Sequence, residues 1–286
     1  MHNPLKQTKG ITLIELLVAL VITGILVGAI YRTFIGQQKT YTVQEQVVDM
    51  QQNVRASINR MMREIRMTGF GNVSMLLPAP YGSGPGVTIG GKLYTNVVTA
   101  NYPVAGSVTI LSAMGFTTLT ATPASNQVTV TSLTDAQGNT LFDLADRKYV
   151  SIGGVESYTI INIAGTTLTL SGDLTYAHPV NAPVFAIRAV SYQVDGTLTL
   201  LRDELPRPST QAVAQPQPVA GNIDNLQFAY LNANGNPTAN PQDIRIIQVT
   251  LRARTNDSDP QYKSDGGYRK RTIASNVRLR NMGLEL

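Results

Sequence analysis

Lys9-Gly10-Ile11-Thr12-Leu13-Ile14-Glu15-Leu16-Leu17-Val18-Ala19-Leu20-Val21-Ile22-Thr23-Gly24-Ile25-Leu26-Val27-Gly28-Ala29-Ile30-Tyr31 decides how the rest of the chain is read. From Ile11 to Tyr31 a single side chain, Glu15, is charged. Wound into a helix at about 1.5 Å per residue, this run reaches about 31 Å, the thickness of a bilayer's hydrocarbon core. Met1 to Gly10 holds Lys6 and Lys9 and no acid. Positive charge stays on the cytoplasmic side, so the pattern predicts an N-in, C-out topology with everything after Tyr31 outside. A secretory signal carries its small-residue cleavage site after the apolar run, whereas here the small residue, Gly10, stands in front of it. Cleavage between Gly10 and Ile11 removes residues 1–10 as a leader and leaves 11–31 as a transmembrane segment.

An intramembrane carboxylate is expensive unless paired, so Glu15 reads as functional. The new α-amine on Ile11 is a positive charge that can pair with Glu15 of a neighbouring identical or related helix, which turns the cost into an assembly signal. Gly24 and Gly28 have the small-x-x-x-small spacing that lets helices approach closely in a membrane. Gly24 also softens the helix, since Gly costs about 1 kcal/mol relative to Ala there.

Lys9, Gly10 and the run from Ile11 to Leu20 resemble the type IV prepilin cleavage and methylation motif. The resemblance implies a membrane-embedded aspartyl peptidase that cuts after Gly10 and methylates the amine of Ile11, with Glu15 recruiting the subunit into a filament. Ile11 stands where that family most often has Phe. Met50 to Arg55, Met61, Arg63 to Arg66 and Thr68 to Phe70 resemble the helix end of PilW-type minor pilins and their type II secretion relatives. Residues 190–204, 222–230, 243–255 and 268–281 resemble further segments of that family. This wider resemblance implies a minor pilin, added at low copy near the tip to prime a type IV pilus. Its partners are then other major and minor pilins through the N-terminal helix, the prepilin peptidase and the inner-membrane assembly platform. Its places are the bacterial inner membrane and then the extracellular pilus. Two alternatives stay open: a J-type pseudopilin of type II secretion in a periplasmic pseudopilus, or a membrane-tethered periplasmic binding or adhesive protein that never assembles and for which Glu15 is dispensable.

Beyond the membrane, Val47, Met50, Val54, Ile58, Met61 and Ile65 are spaced by three or four residues along one helical face. With no Pro between Ile11 and Thr68, one helix over 11–68 is expected, about 87 Å long and ended by Thr68-Gly69. Its apolar stripe is assigned to packing on the protein's own sheet rather than to a subunit interface. From 69 the pattern turns to short alternating runs broken by Gly, Pro and Asn, among them Val108 to Leu111, Phe116 to Ala121, Thr167 to Leu170 and Val184 to Val194. The expected class is α+β: a long helix, membrane-spanning then amphipathic, packed on an antiparallel β-sheet head at 69–286. Residues from about 81 to 183 are expected to form an inserted β-rich subdomain.

Composition closes other routes. The 286 residues contain no Cys and two His, which excludes thiol chemistry, Cys-ligated metals and multi-histidine metal sites and leaves a hydrolase little to work with. Net charge is +5, but it falls as +4 over 1–69, −4 over 70–244 and +5 over 245–286. The basic residues of that last stretch alternate with apolar ones, as on the solvated face of half-buried strands, rather than forming a nucleic-acid surface. Asp257, Asp259 and Asp265 crowd one loop and are the single candidate for Ca²⁺, without EF-hand spacing. His178, followed by Pro179, reads as a surface residue. An enzyme is not expected, and would require carboxylates such as Asp143, Asp146, Asp203 and Glu204 to converge in a cleft.

Overall fold

One α-helix, three short 3-10 helices and fifteen strands are laid down in a computed structural model that describes residues 10–101, 104–207 and 216–282. The helix, α1 (Leu13–Arg66), is unbroken through 54 residues. Thr12 caps its start: the Glu15 carboxylate takes the backbone N–H of Thr12 at 2.9 Å and its hydroxyl at 2.8 Å, a capping box read directly from T-x-x-E. Within the apolar run, the Thr23 hydroxyl donates to the carbonyl of Ala19 at 2.8 Å, so this polar group brings no unsatisfied donor into an apolar surrounding. At the far end the last N–H groups reach back only three residues, Met67 to Glu64 and Thr68 to Ile65, before Gly69 turns the chain at φ +76°.

The chain divides into two compact units, residues 1–49 and 50–286. In the first, side chains from Ile11 to Val48 are almost all exposed. In the second, Met50, Val54, Ser57, Ile58, Met61 and Ile65 are buried.

The strands in chain order are β1 (Val87–Ile89), β2 (Lys92–Tyr94), β3 (Val98–Thr99), β4 (Val104–Ala105), β5 (Ser107–Thr118), β6 (Gln127–Thr129), β7 (Tyr149–Ile152), β8 (Glu156–Ala164), β9 (Thr167–Leu170), β10 (Pro183–Val194), β11 (Leu200–Leu205), β12 (Gln217–Ala220), β13 (Ile223–Leu231), β14 (Ile246–Arg254) and β15 (Lys270–Arg278). All their pairings are antiparallel, so the fold is α+β.

β10 organises the larger, nine-stranded sheet. One of its edges pairs with β5 from Pro183↔Thr118 to Gln193↔Ser107. Its other edge is shared, by β7 at residues 184–186 and by β11 at 189–194. β13 and β14 pair across eight positions, β14 and β15 across nine, and β4 completes this four-stranded sheet. Strict alternation in β14 buries Ile247, Val249, Leu251 and Ala253 and turns Gln248, Thr250, Arg252 and Arg254 outward.

The stretch from about 81 to 183, expected as an insertion, is tied into both sheets. β5 is the full-length partner of β10, and β4 pairs with β13. The later part, from Leu119 to Val184, carries its own core of Leu119, Val128, Val130, Phe142, Val150, Ile152, Ile160, Leu168 and Val184 around β6 to β9.

Candidate functional site

At the N-terminus, the sequence singles out Lys6, Lys9, Gly10, Ile11 and Glu15. Lys6 and Lys9 lie outside the described residues. Gly10 and Ile11 are exposed and precede the helix, which leaves the bond between them in accessible chain ahead of it. Glu15 is not bare: Thr12 satisfies its Oε2 twice. Oε1 has no partner among the described residues, so the carboxylate is held in one orientation with one oxygen free to meet a cation from outside. Around it, Leu13, Ile14, Leu16, Leu17, Leu20 and Ile25 are each more than half exposed, an apolar surface that only lipid or other apolar helices can cover. A Cβ placed on Gly24 or Gly28 meets nothing within 4 Å. Neither glycine is therefore required by packing inside the chain, and their shared face is open to a neighbouring helix.

The second half of α1 is anchored by charge as well as by its stripe. Glu64 pairs with Arg202 at 2.9 Å and accepts from the Tyr192 hydroxyl at 2.6 Å. Arg202, almost wholly buried, reaches on to Glu204 at 2.7 Å, and Glu204 pairs with Arg188. Burial pushes the Tyr192 hydroxyl's pKa up, and the negative charge of Glu64 adds to it. Burial also pushes Glu204 up, but Arg188 and Arg202 outweigh it and hold the carboxyl below its ordinary value. Glu204 is thus a structural anion.

Of the four carboxylates named as a possible catalytic group, two line a common cleft and three are held in ion pairs. Asp146 and Asp203 share a cleft of about 380 Å³ with Lys92, Arg147 and Arg207. Asp203 is paired with Arg207, Asp143 is paired with Arg147 at 2.9 Å, and Glu204 sits between its two arginines. The calcium candidates are similarly engaged. Asp259 is bridged to Arg269 at 2.9 Å and Asp265 to Lys270 at 3.3 Å, and hydrogen bonds, chiefly from Arg269 and the N–H of Gln261, hold Asp259 below its ordinary pKa. Among the described residues no group of three acidic or imidazole side chains is placed to hold a metal.

His178 is not on the surface. Its Nε2 lies 2.5 Å from Oε1 of Glu156, a fully buried carboxylate that also accepts from the Tyr158 hydroxyl at 2.7 Å and from the N–H groups of Thr175 and Tyr176. Burial pushes Glu156 up, yet these donors together hold it below its ordinary value. The group clamps the 173–178 loop onto the start of β8. A lone Glu at 156 and a lone His at 178 carry no local pattern that joins them.

The C-terminal basic residues are partly neutralised: Arg252 and Lys270 meet Asp224 and Arg269 meets Asp259, while Arg254 stacks over Tyr268 and Arg269 over Tyr262.

Compared with known families, residues 5–31 match the prokaryotic N-terminal methylation motif. No curated protein and no solved structure matches the chain. The matched span covers Lys6, Lys9, Gly10, Ile11, Glu15, Gly24 and Gly28, and it opens a helix long and apolar enough to cross a membrane. The N-terminus therefore carries the methylation motif found in type IV prepilin-like proteins, those of the pilin and pseudopilin kind that prepilin peptidase processes, at the head of an apolar helix consistent with anchoring in a membrane.

Proposed function

We propose that this chain is a minor pilin: a structural, non-catalytic subunit cut after Gly10, methylated on Ile11, held N-in and C-out in the bacterial inner membrane, and added at low copy at the tip to prime a type IV pilus. The observation that supports this reading is the methylation motif, on a helix with an exposed apolar first half, joined to a head of fifteen strands. A subunit repeated along a shaft must fit every extra strand against each of its neighbours, whereas a tip subunit meets that demand once. Oε1 of Glu15, without a partner among the described residues, is then the acceptor for the α-amine of an adjoining subunit. Other pilins cover the helix, and the assembly platform receives it from the bilayer.

The test is intact-mass analysis of membrane and sheared-filament fractions for wild type and Glu15→Ala. The expected wild-type mass lacks residues 1–10 and carries one methyl group, and the sheared fraction holds the protein at a small share of the major subunit and loses it in the variant. An uncut chain that stays in the membrane whatever stands at position 15 overturns the proposal in favour of a tethered periplasmic protein.

A further inference from the structure

Among the edge strands of the two larger sheets, β15 stands apart. The others are short: β12 has four residues, β6 three, β3 and β4 two each. β15 has nine, runs in register with β14 without a bulge, and contains no Pro. Folded proteins normally blunt such an edge by shortening, kinking or covering it, because its outward N–H and C=O groups are a template for another strand.

The register shows which groups are free. Thr255 donates to Arg269 and Leu279 donates to Arg245. Hydrogen-bonded pairs recur every second residue, so Arg271, Ile273, Ser275 and Val277 bond to β14. The N–H and C=O of Lys270, Thr272, Ala274, Asn276 and Arg278 then point away from the sheet, with no partner among the described residues. The centre of this edge, Ile273-Ala274-Ser275, carries no charge. Its two ends carry Arg271, Arg278 and Arg280, all exposed and without an ion pair among the described residues, unlike Arg252, Arg269 and Lys270 beside them.

We propose that β15 is a strand-addition site for another protein subunit, and that the strand it takes is an extended segment with an apolar centre and acidic residues at both ends. The backbone edge supplies the binding energy in hydrogen bonds, and the arginines select the partner by charge. The same three arginines disfavour a second copy of this chain, whose β15 would bring like charges to the same edge. None of this depends on Glu15 or on entry into a filament, so it stands or falls apart from the proposed function.

The probe is a synthetic peptide, Asp-Glu-Thr-Val-Ala-Val-Thr-Glu-Asp, capped at both ends and added to the full chain in detergent micelles, with amide hydrogen exchange as readout. The expected result is exchange slowed by about tenfold or more at Thr272, Ala274 and Asn276, with no change at Ile273, Ser275 and Val277, which are already paired. A peptide with its four acids replaced by lysines should give no protection. Ala274→Pro removes an N–H that points outward and is compatible with an edge strand, so it should abolish protection without changing the melting temperature. If that variant fails to fold, Arg271→Glu/Arg278→Glu replaces it and should reverse the preference between the two peptides. Absence of added protection with the acidic peptide, equal protection by both peptides, or sedimentation showing that the chain pairs with itself along β15 would overturn the proposal.

Discussion

Ile25 and Ile65 lie on one unbroken helix, yet Ile25 is 68% exposed and Ile65 is fully buried. The carboxylates divide the same way. Among the described residues Glu15 is bonded only to its own cap, whereas Glu64 is locked to Arg202 and Tyr192 on β11 and β10. Helix propensity does not distinguish the two halves. What differs is where each finds its partners, and a helix that leaves nearly all of its first 36 residues exposed is built to bury them elsewhere.

Identical substitutions in the two halves put that contrast at risk. Ile65→Ala should lower the head's unfolding free energy by about 4 kcal/mol, as large-to-small changes in a closed core do. Ile25→Ala should leave it unchanged. Urea unfolding of both variants in detergent decides it, and an equal loss in the two would mean the first half also packs on the head. The carboxylates come next. Glu64→Ala leaves the buried Arg202 guanidinium short of a partner and the Tyr192 hydroxyl without its acceptor, which should cost about 3 kcal/mol. Glu15→Ala should leave the same unfolding curve untouched while emptying the filament fraction.

A third carboxylate sharpens the comparison through pH. Glu156 is held below its ordinary pKa of 4.5, so it contributes stability that is fully present above that value and is lost as pH falls through its lower folded-state value. The groups facing it are His178, the Tyr158 hydroxyl and the N–H groups of Thr175 and Tyr176. Glu156→Gln should lower the melting temperature at neutral pH and show a shallower fall on acidification than wild type. Identical acid limbs in the two proteins would show that the clamp is not an ionic one.

Much of the fold is legible in the sequence because it is periodic. The stripe from Met50 to Ile65 needs only the 3.6-residue repeat, and β9 and the buried face of β14 come from alternation. β5 is legible only in pieces, Val108 to Leu111 and Phe116 onward, because Gly115 breaks the pattern. It sits at φ +65° as the extra residue of a bulge opposite Phe185 and Ala186, so one strand reads as two. The Glu156–His178 clamp cannot be read in advance, since two isolated residues 22 positions apart meet only through the tertiary fold. The same holds for the ties of β4 and β5 to β13 and β10, which depend on long-range pairing rather than on local spacing. At the N-terminus, Gly10, Ile11 and Glu15 stand out because a charge in a long apolar run has no ordinary explanation; that Thr12 already satisfies one oxygen is a finding of the structure.

The smallest effect separates two kinds of glycine. A Cβ at Gly71 falls 2.4 Å from the Cβ of Ala113, at φ +90°, so Ala there forces the backbone to move. A Cβ at Gly24 meets nothing. Gly24→Ala should therefore leave the head's stability unchanged and favour the helix itself by at most about 1 kcal/mol. If its purpose is to let the helix bend on leaving the bilayer, or to admit a close neighbour, the variant should enter sheared filaments at a reduced level, by about twofold, with processing after Gly10 unaffected. Wild-type incorporation of Gly24→Ala would remove both purposes at once, and would leave Glu15 and the apolar surface around it to account for assembly.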